Sequence, residues 1–226
     1  MPDSRSALLI GASRGLGLGL AQVFAARGWA VTATARDPDR APALAAIPGV
    51  RVERADITDD DAMAALHGRA AGPFDLVFVI AGIADDATLP VHEVGTETAA
   101  RVFETNAHAP LRVMERFTDR LAPGGTMAVM TSILGSVAEN TGGGWEIYRA
   151  SKAALNTLTR CYALRHKDAG ITVLSIHPGW VKTDMGGPGA SLDVETSTTG
   201  MCDVIEAQHG TGGHRFLDWE GRTIAW

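Results

Sequence analysis

Short uninterrupted apolar runs alternate with segments of helical period along the whole chain. "ALLIGA", "AVTATAR", "VRVERAD", "FDLVFVIAG", "GGTMAVMTS", "ITVLSIHPG" and "HRFLDWEG" read as strands. Most are continuously apolar rather than alternating, as expected of strands covered on both faces. Between them lie helical patterns. In "LGLAQVFAARG" the residues Leu16, Leu20, Val23 and Phe24 recur at helical spacing, and Gly28 is the stop signal. "RAPALAAIPG" is a weaker short helix. "TDDDAMAALHGRAAG" is a helix with Thr58 as the expected N-cap and acids in its first turn. "VGTETAARVFETNAHAPLRVMERFTDRL" carries one long helix, "YRASKAALNTLTRCYALRHKDAG" another, and "VETSTTGMCDVIEAQHG" a last one. Repeated strand–helix alternation predicts an α/β fold: a single Rossmann-type, doubly wound parallel sheet of about seven strands, with helices on both faces.

The 226 residues suit one domain over 1–226, with no linker or repeat to divide it. "TDMGGPGASLD" reads as a loop over a site, and 184–210 as a substrate loop with a short helix. A formal net charge of −6 without basic runs argues against nucleic acid or an anionic membrane as main partner. The two cysteines, Cys161 and Cys202, stand in no metal-binding or CxxC spacing, which points to a reducing compartment. His108, His177 and His209 form no metal spacing either. The N-terminus lacks a signal-peptide pattern, and no stretch approaches the ~18 apolar residues of a membrane span. A cytoplasmic protein is the expectation.

"GASRGLG" places Gly11, Gly15 and Gly17 between the first strand and the first helix. Glycines there let a backbone approach a pyrophosphate, and the helix N-terminus offers free N–H groups and the positive dipole end. NAD binding calls for an acid at the end of the second strand, to accept from the ribose 2′-OH. In "TARDP" Ala35 holds that position and Arg36 follows, while Arg14 sits in the glycine turn. Two guanidiniums beside a missing carboxylate suit a 2′-phosphate, so NADP(H) is favoured over NAD(H). Asp37 remains an alternative acid if the strand ends two residues later. Asp56, in "RADIT", stands either near the adenine or as a turn former.

Tyr148 and Lys152 lie one turn apart on a helix. A tyrosine of pKa ~10 is a poor neutral-pH catalyst unless a nearby ammonium stabilises the phenolate. Ser132 ends the fifth strand, where its hydroxyl could bond a substrate carbonyl. Asn106 lies inside the long helix, where an amide could hold a water. "HPGWVKT" follows the sixth strand and carries Thr183 in a turn able to close over a cofactor. Trp145 could pave a substrate pocket or simply pack, and Trp180 and Met185 could line a pocket or a subunit contact.

Together, "GASRGLG", "ADIT", Ala81–Gly82, Asn106, "TS" at Ser132, "YRASK" and "HPGWVKT" stand in the order found in short-chain dehydrogenases/reductases, which this chain resembles over nearly its whole length. "GGGWEIYRASKAALN", "HPGWVKTDMGGPGA" and "DWEGRTIAW" make it most similar to the C-factor-like branch. The resemblance implies that Tyr148 is the proton donor or acceptor. Lys152 would bond the nicotinamide ribose and depress the tyrosine pKa, Ser132 would orient the substrate oxygen, and Asn106 would anchor a water in a relay. Gly11, Ser13, Arg14, Gly15, Leu16, Gly17, Arg36, Asp56, Ile57, Ala81, Gly82, Pro178, Gly179, Val181 and Thr183, with Tyr148 and Lys152, are the implied dinucleotide contacts. One departure stands out: the family's "NNAG" is "VIAG" here, with Val79 and Ile80 replacing both asparagines. The lost amide leaves backbone groups that need another partner.

The resemblance therefore implies an NADP(H)-dependent oxidoreductase that moves a hydride between nicotinamide and a small-molecule carbonyl or alcohol. A homodimer or homotetramer formed through the two long helices is expected. The alternative is a dinucleotide-binding signalling protein of the C-factor type with little turnover.

Overall fold

The computed structural model describes residues 4–85 and 89–226. Seven parallel strands form one sheet in the order β3-β2-β1-β4-β5-β6-β7. They are β1 (Ser6–Ile10), β2 (Ala30–Ala35), β3 (Arg51–Arg54), β4 (Phe74–Val79), β5 (Leu121–Met130), β6 (Thr172–His177) and β7 (Gly213–Asp218). The helices are α1 (Gly15–Ala26), α2 (Pro42–Ala45), α3 (Asp60–Arg69), α4 (Thr96–Phe103), α5 (Ala109–Phe117), α6 (Glu146–Arg165) and α7 (Val194–Gln208).

Side chains on a strand point alternately to the two faces. Ala7, Leu9, Leu76, Phe78, Ala128 and Met130 pack with Leu20 and Phe24 of α1 and Met201 and Ile205 of α7. The intervening Leu8, Ile10, Val77, Val79, Met127 and Val129 pack with Met63 and Leu66 of α3, Val113 and Phe117 of α5, and Leu155 and Tyr162 of α6. Both faces are thus buried, which is why these strands read as continuous apolar runs. Each large side chain so buried contributes about 1.5–3 kcal/mol.

The sheet grows outward from β1 to β3, then the chain returns to place β4 on the other side of β1. That reversal opens a crevice at the carboxyl ends of β1 and β4, the switch point where α/β sheets bind ligands. Ile80 and Ala81 both donate their N–H to the Ile10 carbonyl, at 2.9 and 3.0 Å. Val79 and Ile80 are themselves buried, one in each core. Where the family uses amides, this chain uses backbone bonds and apolar packing to tie the two strands.

Two helix details differ from expectation. The N-cap of α3 is Asp59, which accepts from the Ala62 N–H at 2.9 Å, not Thr58. Asp56 holds both the N–H and the hydroxyl of Thr58, at 2.9 and 2.8 Å, leaving the cap to the next residue. The expected single helix over 94–121 is α4 and α5 joined by a π-helical turn over Glu104–His108, with Asn106 buried inside it. Such turns displace the regular i→i−4 bonding and frequently mark functional sites.

Candidate active site

A cleft of about 610 Å³ opens at the switch point. Its floor is the turn from β1 into α1, where absent side chains create space. A Cβ at Gly11 would sit 2.8 Å from Ala81, and one at Gly17 would sit 2.3 Å from the Gly11 carbonyl oxygen. Thr34 fixes this turn: its hydroxyl accepts the Gly11 N–H at 2.9 Å and its carbonyl accepts the Ala12 N–H at 2.8 Å. Motif order did not point to Thr34. Its signal is a hydroxyl repeated on an otherwise apolar strand.

Of the expected dinucleotide contacts, Gly11, Ser13, Arg14, Gly15, Leu16, Gly17, Arg36, Asp56, Ile57, Ala81, Gly82, Tyr148, Lys152, Pro178 and Thr183 line this cleft. Gly179 and Val181 do not. Gly179 backs onto Leu192 and Trp219, so close that a Cβ would sit 2.4 Å from Leu192. Val181 is buried and bridges to Leu192. Both build the loop rather than face the space. The same loop sends Asp184 and Met185 to the wall, and α4 adds Arg101.

The charges follow from these positions. Strand β2 ends at Ala35, as the sequence predicts. Asp37, the alternative acid, is held by Arg54 at 3.1 Å. Arg36 is exposed, and among the described residues its guanidinium has no hydrogen-bond or ion-pair partner. Arg14 pairs with Asp184 across the mouth of the cleft, both side chains largely exposed.

The catalytic set gathers from three segments. Ser132 follows β5, its oxygen accepting the Leu134 N–H at 3.1 Å, and its side chain stands near the Tyr148 phenol. Gly135 lies on the backbone of Lys152, where a Cβ would approach within 2.8 Å. This contact sets the serine segment against α6. Lys152 is buried and donates to the Met130 carbonyl at 2.9 Å, with its Nζ 5.8 Å from the centre of the Tyr148 ring. Burial pushes the Tyr148 phenol up to about 12, opposed only by the nearby Ser132 hydroxyl, and pushes Lys152 down to about 8. The resemblance implied a tyrosine depressed by the lysine. In this arrangement desolvation outweighs any such effect, and the phenol is protonated at neutral pH.

Asn106 is buried behind the site and fully engaged with neighbouring segments. Its Nδ2 donates to the Ile83 carbonyl at 2.7 Å and to Ser151 Oγ at 3.0 Å, while Oδ1 accepts the Ile83 N–H at 2.8 Å. Ser151 in turn donates to the Tyr148 carbonyl at 2.7 Å. The amide therefore clamps the segment after β4 onto α6. A serine between Tyr148 and Lys152 was the signal for this link.

No helix among the described residues is long and apolar enough to cross a membrane, and none of them group as a His, Cys, Asp and Glu cluster able to hold a metal.

A doubly wound parallel sheet with a glycine-floored cleft at its switch point defines a dinucleotide-binding α/β protein. Residues 11–199 match the family model described as enoyl-(acyl carrier protein) reductase. C-signal of Myxococcus xanthus is 38% identical over 157 residues, covering 69% of this chain and 94% of that one. A Burkholderia multivorans structure with bound NADP superposes with a TM-score of 0.94 at 40% identity, covering 99% of this chain and 100% of that one. A carbonyl reductase from Pseudomonas aeruginosa PAO1 in complex with NADP gives 0.91 at 35% identity, covering 99% and 100%. The chain belongs to the short-chain dehydrogenase/reductase family, in its C-factor-like branch, and is an oxidoreductase of that family.

Proposed function

We propose that this chain is an NADP(H)-dependent oxidoreductase interconverting carbonyl and alcohol groups, with Tyr148 as the general acid or base. The observation that carries the reading is that Tyr148 and Lys152 line the same cleft as the glycine turn, with the Ser132 side chain near the tyrosine. The residues fit the cofactor: Gly11 and Gly17 leave a cradle that a Cβ would fill, and the unpaired Arg36 guanidinium suits a 2′-phosphate better than a bare ribose. Bound there, the nicotinamide supplies or accepts the hydride.

The protein's own groups handle the oxygen. A phenol pushed up to about 12 holds its proton at neutral pH and can give it to a carbonyl oxygen as charge develops there. The Ser132 hydroxyl, near that phenol, would orient the same oxygen. Charged Lys152 would stabilise the phenolate left behind, which matters most in a site this dry. In the oxidising direction the phenolate takes the alcohol proton. We read 1–226 as one catalytic domain and 184–210 as its substrate loop.

The test is turnover of NADPH with aldehydes and ketones. Tyr148→Phe is expected to lower kcat by about 10²–10⁴, the contribution of a positioned acid, while NADPH still binds. Wild-type rates in the variant would overturn the reading. Tight NADPH binding without turnover in the wild type would instead favour the signalling alternative that the similarity to C-signal suggests.

A further inference from the structure

Trp145 is the one non-glycine residue with a left-handed backbone among those described, at φ 57 and ψ 34. It follows Gly143 and Gly144, at φ 65 and 68, which adopt that region freely. A bulky side chain does not. The conformation is enforced. Arg149 donates to the Gly144 carbonyl at 2.8 Å and the Gly143 carbonyl at 3.2 Å, its own N–H bonds the Trp145 carbonyl at 2.7 Å, and Asn140 accepts the Gly143 N–H at 3.1 Å. A further constraint is the indole itself. It lies one turn before Tyr148 and packs edge-on against the phenol ring, with centroids 5.8 Å apart and planes at 66°.

Helix start and turn would both be served by glycine at this position, and at lower conformational cost. Strain of this kind persists where the surroundings impose it and tends to collect at functional sites. What the tryptophan adds is a half-buried aromatic surface beside the proposed proton donor. Met185 lines the cleft with Tyr148, and Trp180, exposed by 58%, stands on the same loop with its indole N–H fixed on the Gly186 carbonyl at 2.8 Å. Lys152, the cation beside Tyr148, is buried on the Met130 carbonyl.

Resting on the oxidoreductase reading above, we infer that Trp145 is a specificity-determining residue, an aromatic wall against the Tyr148 ring that selects carbonyl compounds carrying an aromatic or extended conjugated group. Edge-to-face and offset stacking favour such groups over saturated chains of similar size.

The experiment compares kcat/KM for benzaldehyde and acetophenone with that for propanal and butanone, and records thermal midpoints, in wild type, Trp145→Gly, Trp145→Ala and Trp145→Phe. The wild type should prefer the aromatic pair. The Gly and Ala variants should lose about tenfold on the aromatic pair, the range of one pocket contact, with little change on the aliphatic pair. Phe should keep most of the preference. The Gly variant, relieved of its backbone strain, should melt no lower than wild type. Equal losses on both pairs, or no aromatic preference in the wild type, overturn the inference while leaving the oxidoreductase reading intact. Failure of the wild type to reduce any of the four overturns that reading, and the inference falls with it.

Discussion

At the glycine-rich end of the cleft the chain offers backbone and solvated guanidiniums. At the other end it offers buried side chains. Arg14 and Arg36 stand in water, and the close approach there comes from what Gly11 and Gly17 lack. Ser132, Tyr148 and Lys152 are 7%, 9% and 3% exposed, and two of them titrate far from their ordinary values. Exposed charges confer selectivity that salt can screen. Buried ones set proton affinities that salt hardly touches, and they cost stability. The two ends should therefore respond to mutation, salt and pH in opposite ways.

The largest effect belongs to the buried end. Lys152→Met is expected to lower kcat/KM by about 10²–10³, within the range of acid–base and electrostatic contributions. It should also change stability in the unusual direction for an active-site loss. Lys152 titrates near about 8 when folded, against ~10.4 in an unfolded chain. Between those values the unfolded state carries more protons, so the wild type gains stability as pH rises through that window. Below about 8 the cost of burying the charge is fully present. It is on the order of 3 kcal/mol at most. Denaturant midpoints measured from pH 7 to 9.5 should rise in the wild type relative to Lys152→Met. Over the same range the wild-type kcat/KM for carbonyl reduction should fall above about 8, as the lysine loses its charge. A flat stability difference would mean that water reaches Nζ, and the contrast between the two ends would collapse.

The exposed end gives a smaller, cofactor-selective effect. Arg36→Ala should weaken NADPH binding about tenfold, the worth of one charge-assisted contact, and leave NADH nearly unchanged. The loss should shrink as salt is raised. Asp37 will not take over as a ribose acid in this variant, because Arg54 holds it at 3.1 Å. Equal weakening of both cofactors by titration would remove Arg36 from the 2′-phosphate.

How much of this was legible in the sequence follows the same division. The strands were readable because both faces of the sheet are buried, and a continuous apolar run as short as "FDLVFV" suits a strand covered on both sides. The glycine turn was readable because its constraint is local: a β-strand, a tight turn and a helix start within a few residues. Four features were not. Thr58 and Asp59 are equally good caps, and the choice depends on Asp56 capturing the threonine hydroxyl. The π turn at Asn106 is invisible to periodicity, because its amide bonds reach Ile83 and Ser151 in other segments. The raised tyrosine and lowered lysine depend on how completely α6 is covered, not on their spacing. Gly179 and Val181 belong to a recognisable motif, but its order along the chain does not say which residues turn toward the cleft.

The smallest effect probes the one place where the exposed end is already paired. Arg14 bonds Asp184 across the mouth of the cleft. An ion pair this solvated contributes ~0–1 kcal/mol, so Asp184→Asn should leave the thermal midpoint almost where it was. Binding should change in a particular way. The pair engages one of the two guanidiniums expected near the 2′-phosphate and sets a carboxylate beside it, which opposes an incoming dianion. Removing that charge should tighten NADPH binding about two- to threefold at low ionic strength, with little effect on NADH and none left at high salt. If Asp184→Asn instead weakens NADPH, the aspartate holds Arg14 in a binding geometry rather than competing for it. The mouth of the cleft would then be pre-organised by side chains, as its buried end is.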